Sequence, residues 1–423
     1  MVSDLAMYPA ILGGEPAVTL DHGASNRWPR LTLEDEKWVL RVMRDGNIST
    51  HKIIRELEGA YAELTGRKYC LAHNNGTSAM LAAFFSIGLK PGDEVLVPSA
   101  TFWASVVPML WVGAVPVFCE SENERMGLDP KDMEQKITAR TRAMVIVHLW
   151  GLPSKMTELF ELARRYNLKI IEDASHAHGA YWNNRPCGSL GDVSVFSLQG
   201  DKLAPAGEGG IFLCDEEVYH EKAVCLGDIT RIAELAPPSR RYAATSFGVK
   251  TRMAPLCAAV GLSQFARLEE NNQLRKSNIE NLSRKLAKLE LHTFQAPDHI
   301  QRVYFEYLIR YDATRYPLSI VQLVEALKKE GCRVTAPRYP LLHRQPFFTE
   351  GVFTGILRLP STAGQPPSYK NCSLPLTEAA NQALLKLPSF PGPDNGILDQ
   401  YALAFEKVLA HAGEIAEYDN EIR

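Results

Sequence analysis

The stretch SVFSLQGDK, residues 194–202, closes an apolar run with Ser197 and, five residues later, Lys202. Gly207-Glu208-Gly209-Gly210 follows, a loop flexible enough to wrap around that lysine. Three more apolar runs end in the same manner. YCLAH leads into Asn75-Gly76-Thr77-Ser78, where a glycine lets the backbone approach closely and the free amides of a helix start, with two hydroxyls, suit a phosphate. EVLVPSAT leads into Phe102-Trp103, rings able to lie flat on a heterocycle. KII leads into Glu172-Asp173, and a carboxylate set directly after a buried strand needs a partner.

Each of these features has an ordinary reading on its own. Thr77 or Ser78 can cap a helix, Phe102 can pack in a core, Asp173 can cap a turn and Lys202 can lie in solvent. His176 and His178, two residues apart, could be metal ligands, but no further Cys/His/Asp spacing supports a metal. Together they make a set. A phosphate cradle, an aromatic plate, a buried aspartate and a late lysine, in register at successive strand ends, are what pyridoxal 5'-phosphate requires. Helix amides take its phosphate, a ring covers one face, an aspartate holds the pyridine nitrogen and a lysine condenses with the aldehyde.

The elements that must position these residues alternate. Strand-like runs at YCLAHN, EVLVPS, AVPVFCE, RAMVIVHLWG and LKIIEDAS are separated by helical patterns at GTSAMLAAFFSIGL, TFWASVVPMLWVG and MTELFELARRYN. Such alternation with nearly continuous apolar strands predicts an α/β fold with a mainly parallel sheet covered on both faces, whose ligands lie beyond the carboxyl ends of the strands. Ahead of it, Thr32 with Asp35 three residues on marks a helix start and Gly46 its stop. PLCAAVGLSQFARLEENNQLRKSNIENLSRKLAKL reads as a long amphipathic helical pattern, and the texture beyond it is that of a smaller α+β unit. The expected organisation is an N-terminal arm over 1–30, a large domain over 31–270 and a small C-terminal domain over 271–423.

Bulk properties narrow the function. The chain has 423 residues, 46% hydrophobic and 22% charged, an ordinary globular composition long enough for two cores. Lys+Arg (46) nearly balance Asp+Glu (49), for a net charge of −3, so no electrostatic footprint points to nucleic acid and no basic block to a membrane surface. The longest apolar stretches are broken by Pro, Gly and Ser, and no basic, then apolar, leader opens the sequence. The eight cysteines are scattered without a CxxC pair, which reads as reduced thiols of a cytoplasmic protein.

These same residues carry a resemblance. NNGTSAM, PGDEVLVPSATF, EDASHAHGA, GDVSVFSLQGDK and GEGG, supported by GGEPA, RWPRLT, YAELTG, VHLWGLP and RYPLLHRQPFF, resemble the DegT/DnrJ/EryC1/StrS family of pyridoxal-phosphate sugar aminotransferases over nearly the whole chain. Within it the chain is most similar to the aminocyclitol branch, the glutamine:scyllo-inosose aminotransferases of aminoglycoside antibiotic pathways. The resemblance implies the aspartate aminotransferase fold (fold-type I) and a homodimer with active sites at the subunit interface. It implies Lys202 as the lysine bound to the cofactor, Asp173 on the pyridine nitrogen, Phe102 against the ring and His176 near the ring hydroxyl. Gly76, Thr77, Ser78 and Ser197 would hold the phosphate. Two positions depart from the family pattern. Arg252, in FGVKTRMAPL, stands where many relatives place an asparagine that reaches the neighbouring subunit's phosphate, and is expected to bind that phosphate or to read substrate instead; Asp228, in CLGDIT, stands where relatives often show histidine. Both bear on substrate more than on cofactor.

The implied reaction takes an amino group from an amino acid, L-glutamine or L-glutamate, and delivers it to a keto-sugar or keto-cyclitol, with Lys202 moving the protons. Two other readings stand beside it: a sugar dehydratase or deaminase on the same scaffold, and a non-catalytic cofactor-binding protein. Related dehydratases replace the lysine by histidine, and intact Lys202, Asp173 and Ser197 speak against both. Acceptor choice is expected in the loops WNNRPCG, GDITRIAELAPPSRRYAATSFG and RYPLLHRQPFF.

Overall fold

The computed structural model describes residues 7–336, 339–360 and 364–422. Arg338, the first residue of the RYPLLHRQPFF motif, and residues 1–6 of the N-terminal arm lie outside the described residues.

Seven short strands form the central sheet: β1 Tyr69–His73, β2 Glu94–Pro98, β3 Val115–Cys119, β4 Thr141–Val147, β5 Lys169–Asp173, β6 Val193–Ser197 and β7 Gly210–Cys214, in the order β1-β7-β6-β5-β4-β2-β3. The pairs β2·β3, β2·β4, β4·β5 and β5·β6 are parallel. β7 runs antiparallel between β6 and β1. Six strands therefore share one direction, and the carboxyl ends of β1, β2, β5 and β6 open on the same edge. The residues of β2 are buried throughout, as are nearly all of β4, which is why these runs read as continuously apolar. This is the mainly parallel α/β sheet expected from the alternation.

Two stretches differ from their sequence reading. TFWASVVPMLWVG reads as one helix, but it folds as two 3-10 turns, Trp103–Ser105 and Val107–Val112. Pro108 lacks an amide proton and disfavours a helical residue before it, so an α-helix cannot run through Val107. The long helical pattern after Ala254 is divided into Pro255–Phe265 and Leu268–Leu286. No proline or glycine marks that break. Arg267, at the junction, donates to both oxygens of Asp35 at 2.9 and 2.8 Å and so ties the two helices to Leu33–Asp45. Asp35 in turn accepts the Thr32 amide at 2.7 Å, the expected helix start.

A second sheet of three antiparallel strands, β8 His292–Thr293, β9 Tyr307–Arg310 and β10 Leu384–Leu387, packs with helices Ile320–Lys329 and Ile397–Ala410 around its own apolar core. Ala17 and Val18 belong to that core. Glu330, fully buried, accepts the amides of Ala10 and Ala17 at 2.7 and 2.8 Å and pairs with buried Lys407 at 2.9 Å. The N-terminal segment is thus fastened to the second core before it crosses to the large sheet.

Candidate active site

At the carboxyl edge of the large sheet lies a cavity of about 810 Å³. Gly76, Thr77, Phe102, Asp173, His176, Ser197 and Lys202 all line it.

The corner of the cavity at Gly76 and Ser197 is built by close backbone approach. Asn75 caps the helix Gly76–Ser86, its Oδ1 accepting the Ser78 amide at 2.8 Å. The cap is therefore Asn75 and not Thr77 or Ser78, which leaves Thr77 in the cavity wall, while the Ser78 amide is spent on the cap and Ser78 is not among the lining residues. A Cβ on Gly76 would stand 2.8 Å from the Cβ of Ser197, and one on Gly210 would stand 2.3 Å from the carbonyl oxygen of Asn75. Only glycines allow β1, β6 and β7 to draw together here, bringing the helix start beside the Ser197 hydroxyl.

Glu172 and Asp173 are neighbours that do different work, because successive strand residues face opposite sides of the sheet. Glu172 is saturated: it accepts the amides of Gly188, Leu190 and Gly191 at 2.6, 2.7 and 3.0 Å, the Ser194 hydroxyl at 2.8 Å, and lies 3.0 Å from His148 Nε2. Burial alone would raise its carboxyl, but hydrogen bonds from His148, the Gly188 amide and Ser194 bring it down to about 2. It organises the loop between β5 and β6. Asp173 faces the cavity with its plane fixed by two donors, Ser105 Oγ on Oδ2 at 2.7 Å and the Ser175 amide on Oδ1 at 3.1 Å.

Lys202 is held through its backbone. Its amide donates to the Gln199 carbonyl at 2.8 Å, and its carbonyl accepts the indole N–H of Trp28 at 3.0 Å. Its Nζ lies 4.4 Å from the ring centre of Phe305, which also stacks on the imidazole of His176 at 4.2 Å. His176 Nδ1 accepts the Trp150 amide at 3.3 Å. Phe305 is placed by hydrogen bonds from its own amide and that of Val303 to the carbonyls of Trp150 and Gly151. Phe102, half exposed, also lines the cavity, its ring centre 5.2 Å from that of Trp103.

Two positions set apart by the sequence lie elsewhere. Arg252 forms a bridge with His73, reaches Ser49 Oγ with Nη2 at 3.3 Å and does not line this cavity. Asp228 is buried, accepts the Thr230 amide at 3.1 Å and pairs with Arg231 at 3.1 Å, while Arg231 also holds Glu58 at 2.8 Å. It fastens the start of the 227–248 loop.

Sequence reasoning missed Trp28, Ser105, Arg275, Phe305 and Tyr339, which also line the cavity. Trp28 sits in RWPRLT and Tyr339 in RYPLLHRQPFF, motifs that carry the family resemblance without a role attached. Nothing local distinguishes Arg275 from the other charges of its helix.

Residues 29–391 match the DegT/DnrJ/EryC1/StrS aminotransferase family. The chain is 37% identical to GDP-perosamine synthase of Caulobacter vibrioides over 62% of its length and 69% of that protein. It is 30% identical to L-glutamine:scyllo-inosose aminotransferase of Streptomyces griseus over 92% of its length and 95% of that protein. The X-ray structure of the aminotransferase from Psychrobacter cryohalolentis superposes with a TM-score of 0.81 at 25% identity, covering 92% of this chain and 99% of that one.

Proposed function

The chain belongs to the DegT/DnrJ/EryC1/StrS aminotransferase family, and on that footing we propose that it uses pyridoxal phosphate to carry an amino group from L-glutamine or L-glutamate to a ketone on a sugar or cyclitol. The observation that carries this reading is the convergence of Lys202, Asp173, Ser197 and the Gly76–Thr77 helix start on one cavity at the strand ends. The residues present fit the cofactor. The glycine-permitted approach of Gly76 to Ser197 leaves a small donor-lined corner for a phosphate. Asp173 would take the pyridine nitrogen, and Lys202 would take the aldehyde. When bound, the cofactor supplies a conjugated ring that accepts the electron pair left on the donor's α-carbon.

The chain's own residues do the rest. Lys202, freed as an amine, takes the proton from the α-carbon of the donor and returns it at the neighbouring site. Trp28 and Gln199 hold the lysine backbone so that Nζ keeps one range of reach. Ser105 and Ser175 keep the Asp173 carboxylate in plane. Phe305 and His176 close one side of the cavity with a stacked apolar face. The two relatives' names point to a nucleotide-linked amino sugar as the product of one and to an inosose as the acceptor of the other, which supports a hydroxylated ring as the acceptor here.

A homodimer accords with the exposed apolar side chains Leu33, Met43 and Ile48 on and after the first long helix. Arg252 lies beside Ser49, next to that face and outside its own cavity, where it would serve the partner's site.

Borohydride reduction of the cofactor-loaded protein, followed by peptide mass spectrometry, tests the assignment. A pyridoxyl adduct on Lys202, with loss of amino transfer in Lys202→Ala, is expected. An adduct on another lysine, or full turnover in that variant, would overturn it.

A further inference from the structure

Arg275, in the helix Leu268–Leu286, is 1% exposed, yet it lines the cavity. Its guanidinium carbon sits 3.8 Å from the centre of the Trp28 ring. Neither Nε nor Nη1 has a hydrogen-bond partner, and among the described residues no carboxylate pairs with it. Burial pulls its guanidinium down to about 9, with the charge of Arg30 adding repulsion. The other buried arginines of the large domain are provided for: Arg67 pairs with Asp215, and Arg125 donates to the carbonyls of Pro153 and Ser154 at 3.4 and 3.1 Å, while half-buried Arg231 has Glu58 and Asp228. Lys386, also in the cavity wall, is already paired with Glu306 at 2.9 Å.

A buried cation without a counter-charge is destabilised by its lost hydration, and one in a ligand cavity is relieved when an anion enters. The indole beneath Arg275 is the same one that donates to the Lys202 carbonyl, so the unpaired fork lies one aromatic ring from the lysine. Guanidinium matches a carboxylate in a bidentate fork better than it matches hydroxyls or a ketone. We propose that Arg275, seated on Trp28, is the carboxylate-binding residue for the amino-acid donor. The inference rests on the aminotransferase reading, because it takes the donor amine to be directed at the aldehyde carbon that Lys202 would hold. Arg275 would then hold the donor's carboxylate while Trp28 sets the spacing between that anchor and the lysine. The keto acceptor, which brings no carboxylate, would not use it.

Calorimetric titration of the cofactor-loaded protein tests this without turnover. The probe is glutaramate, which keeps the carboxylate and amide of glutamine but has no amine, and its neutral control is glutaramide. Saturable binding of glutaramate alone, weakened on the order of ten- to hundredfold in Arg275→Met, is expected. The same variant should raise the KM for L-glutamine to a similar extent and leave the KM for the keto acceptor unchanged. Equal binding of the two probes, or unchanged glutaramate binding in the variant, would overturn the assignment. A rise confined to the acceptor KM would also overturn it, pointing instead to a phosphate on a nucleotide-linked acceptor. Should Arg275→Met fail to fold, Arg275→Lys is read by the same criteria, since it keeps the charge and loses the fork. Arg275-dependent glutaramate binding without amino transfer would leave this inference standing and remove the proposed function.

Discussion

The indole nitrogen of Trp28 donates to the carbonyl oxygen of Lys202 at 3.0 Å, so a residue of the N-terminal segment braces a lysine at the far end of the large sheet. Trp28→Phe keeps an aromatic ring under Arg275 while it removes the donor along with the indole's second ring. One neutral hydrogen bond is worth about 1 kcal/mol, and a lysine displaced by a fraction of an ångström loses its proton-transfer geometry. The expected result is a loss of about 1 kcal/mol in urea-induced unfolding, together with a fall in kcat on the order of tenfold. Unchanged kcat in a folded variant would show that Gln199 alone holds the lysine.

Gly76 is one of the two glycines that let the proposed phosphate corner close. In Gly76→Ala the new methyl meets the Cβ, Oγ and Cα of Ser197 at 2.8, 3.1 and 3.2 Å, two of them atoms that cannot swing aside. Overpacking of this kind costs about 1–3 kcal/mol. The corner should open, and affinity for pyridoxal phosphate, measured by equilibrium dialysis, should fall by at least tenfold. Wild-type affinity would show that the cradle lies elsewhere.

Acid should act in two stages. Burial holds His73 down to about 3 in the folded chain, against 6.5 for a free imidazole. The unfolded chain therefore takes up that proton first, and stability declines as pH falls below about 6.5. Glu172, held at about 2 against 4.5 unfolded, adds a second loss as pH falls from about 4.5 towards 2, since its stabilisation is present only above that window. Denaturant midpoints measured at pH 7, 5.5 and 4 should fall in that order. Glu172→Gln should lower the midpoint at pH 7 and flatten its dependence below pH 4.5. An unaltered slope there would mean the loop between β5 and β6 opens before the carboxyl titrates.

The residues at strand ends were legible because an apolar run followed by a turn is a local signal. Gly76, Phe102, Asp173, Ser197 and Lys202 each follow such a run, and the parallel sheet brings them to one edge. Trp28, Arg275 and Phe305 arrive from segments remote in sequence. Arg275 stands among Glu269, Glu270, Lys276 and Glu280, a pattern that looks like a solvated helix face, and its burial, with the guanidinium seated on Trp28, is a tertiary feature. Phe305 lies in an irregular segment positioned by carbonyls of the VHLWG motif. The division of labour between Glu172 and Asp173 was likewise hidden, since strand alternation shows that they part but not which side holds the ligand.

The antiparallel insertion of β7 between β1 and β6 also sets an order of assembly. As the chain emerges from a ribosome, β2 to β5 meet their sheet partners one after another. β1, made first, has β7 as its partner and must wait for a strand synthesised long after it. Until then the amides at Gly76 have no Ser197 beside them. The corner formed by Gly76 and Ser197 is therefore the last part of the large sheet to close, so a nascent chain would offer no finished phosphate corner until β7 has paired.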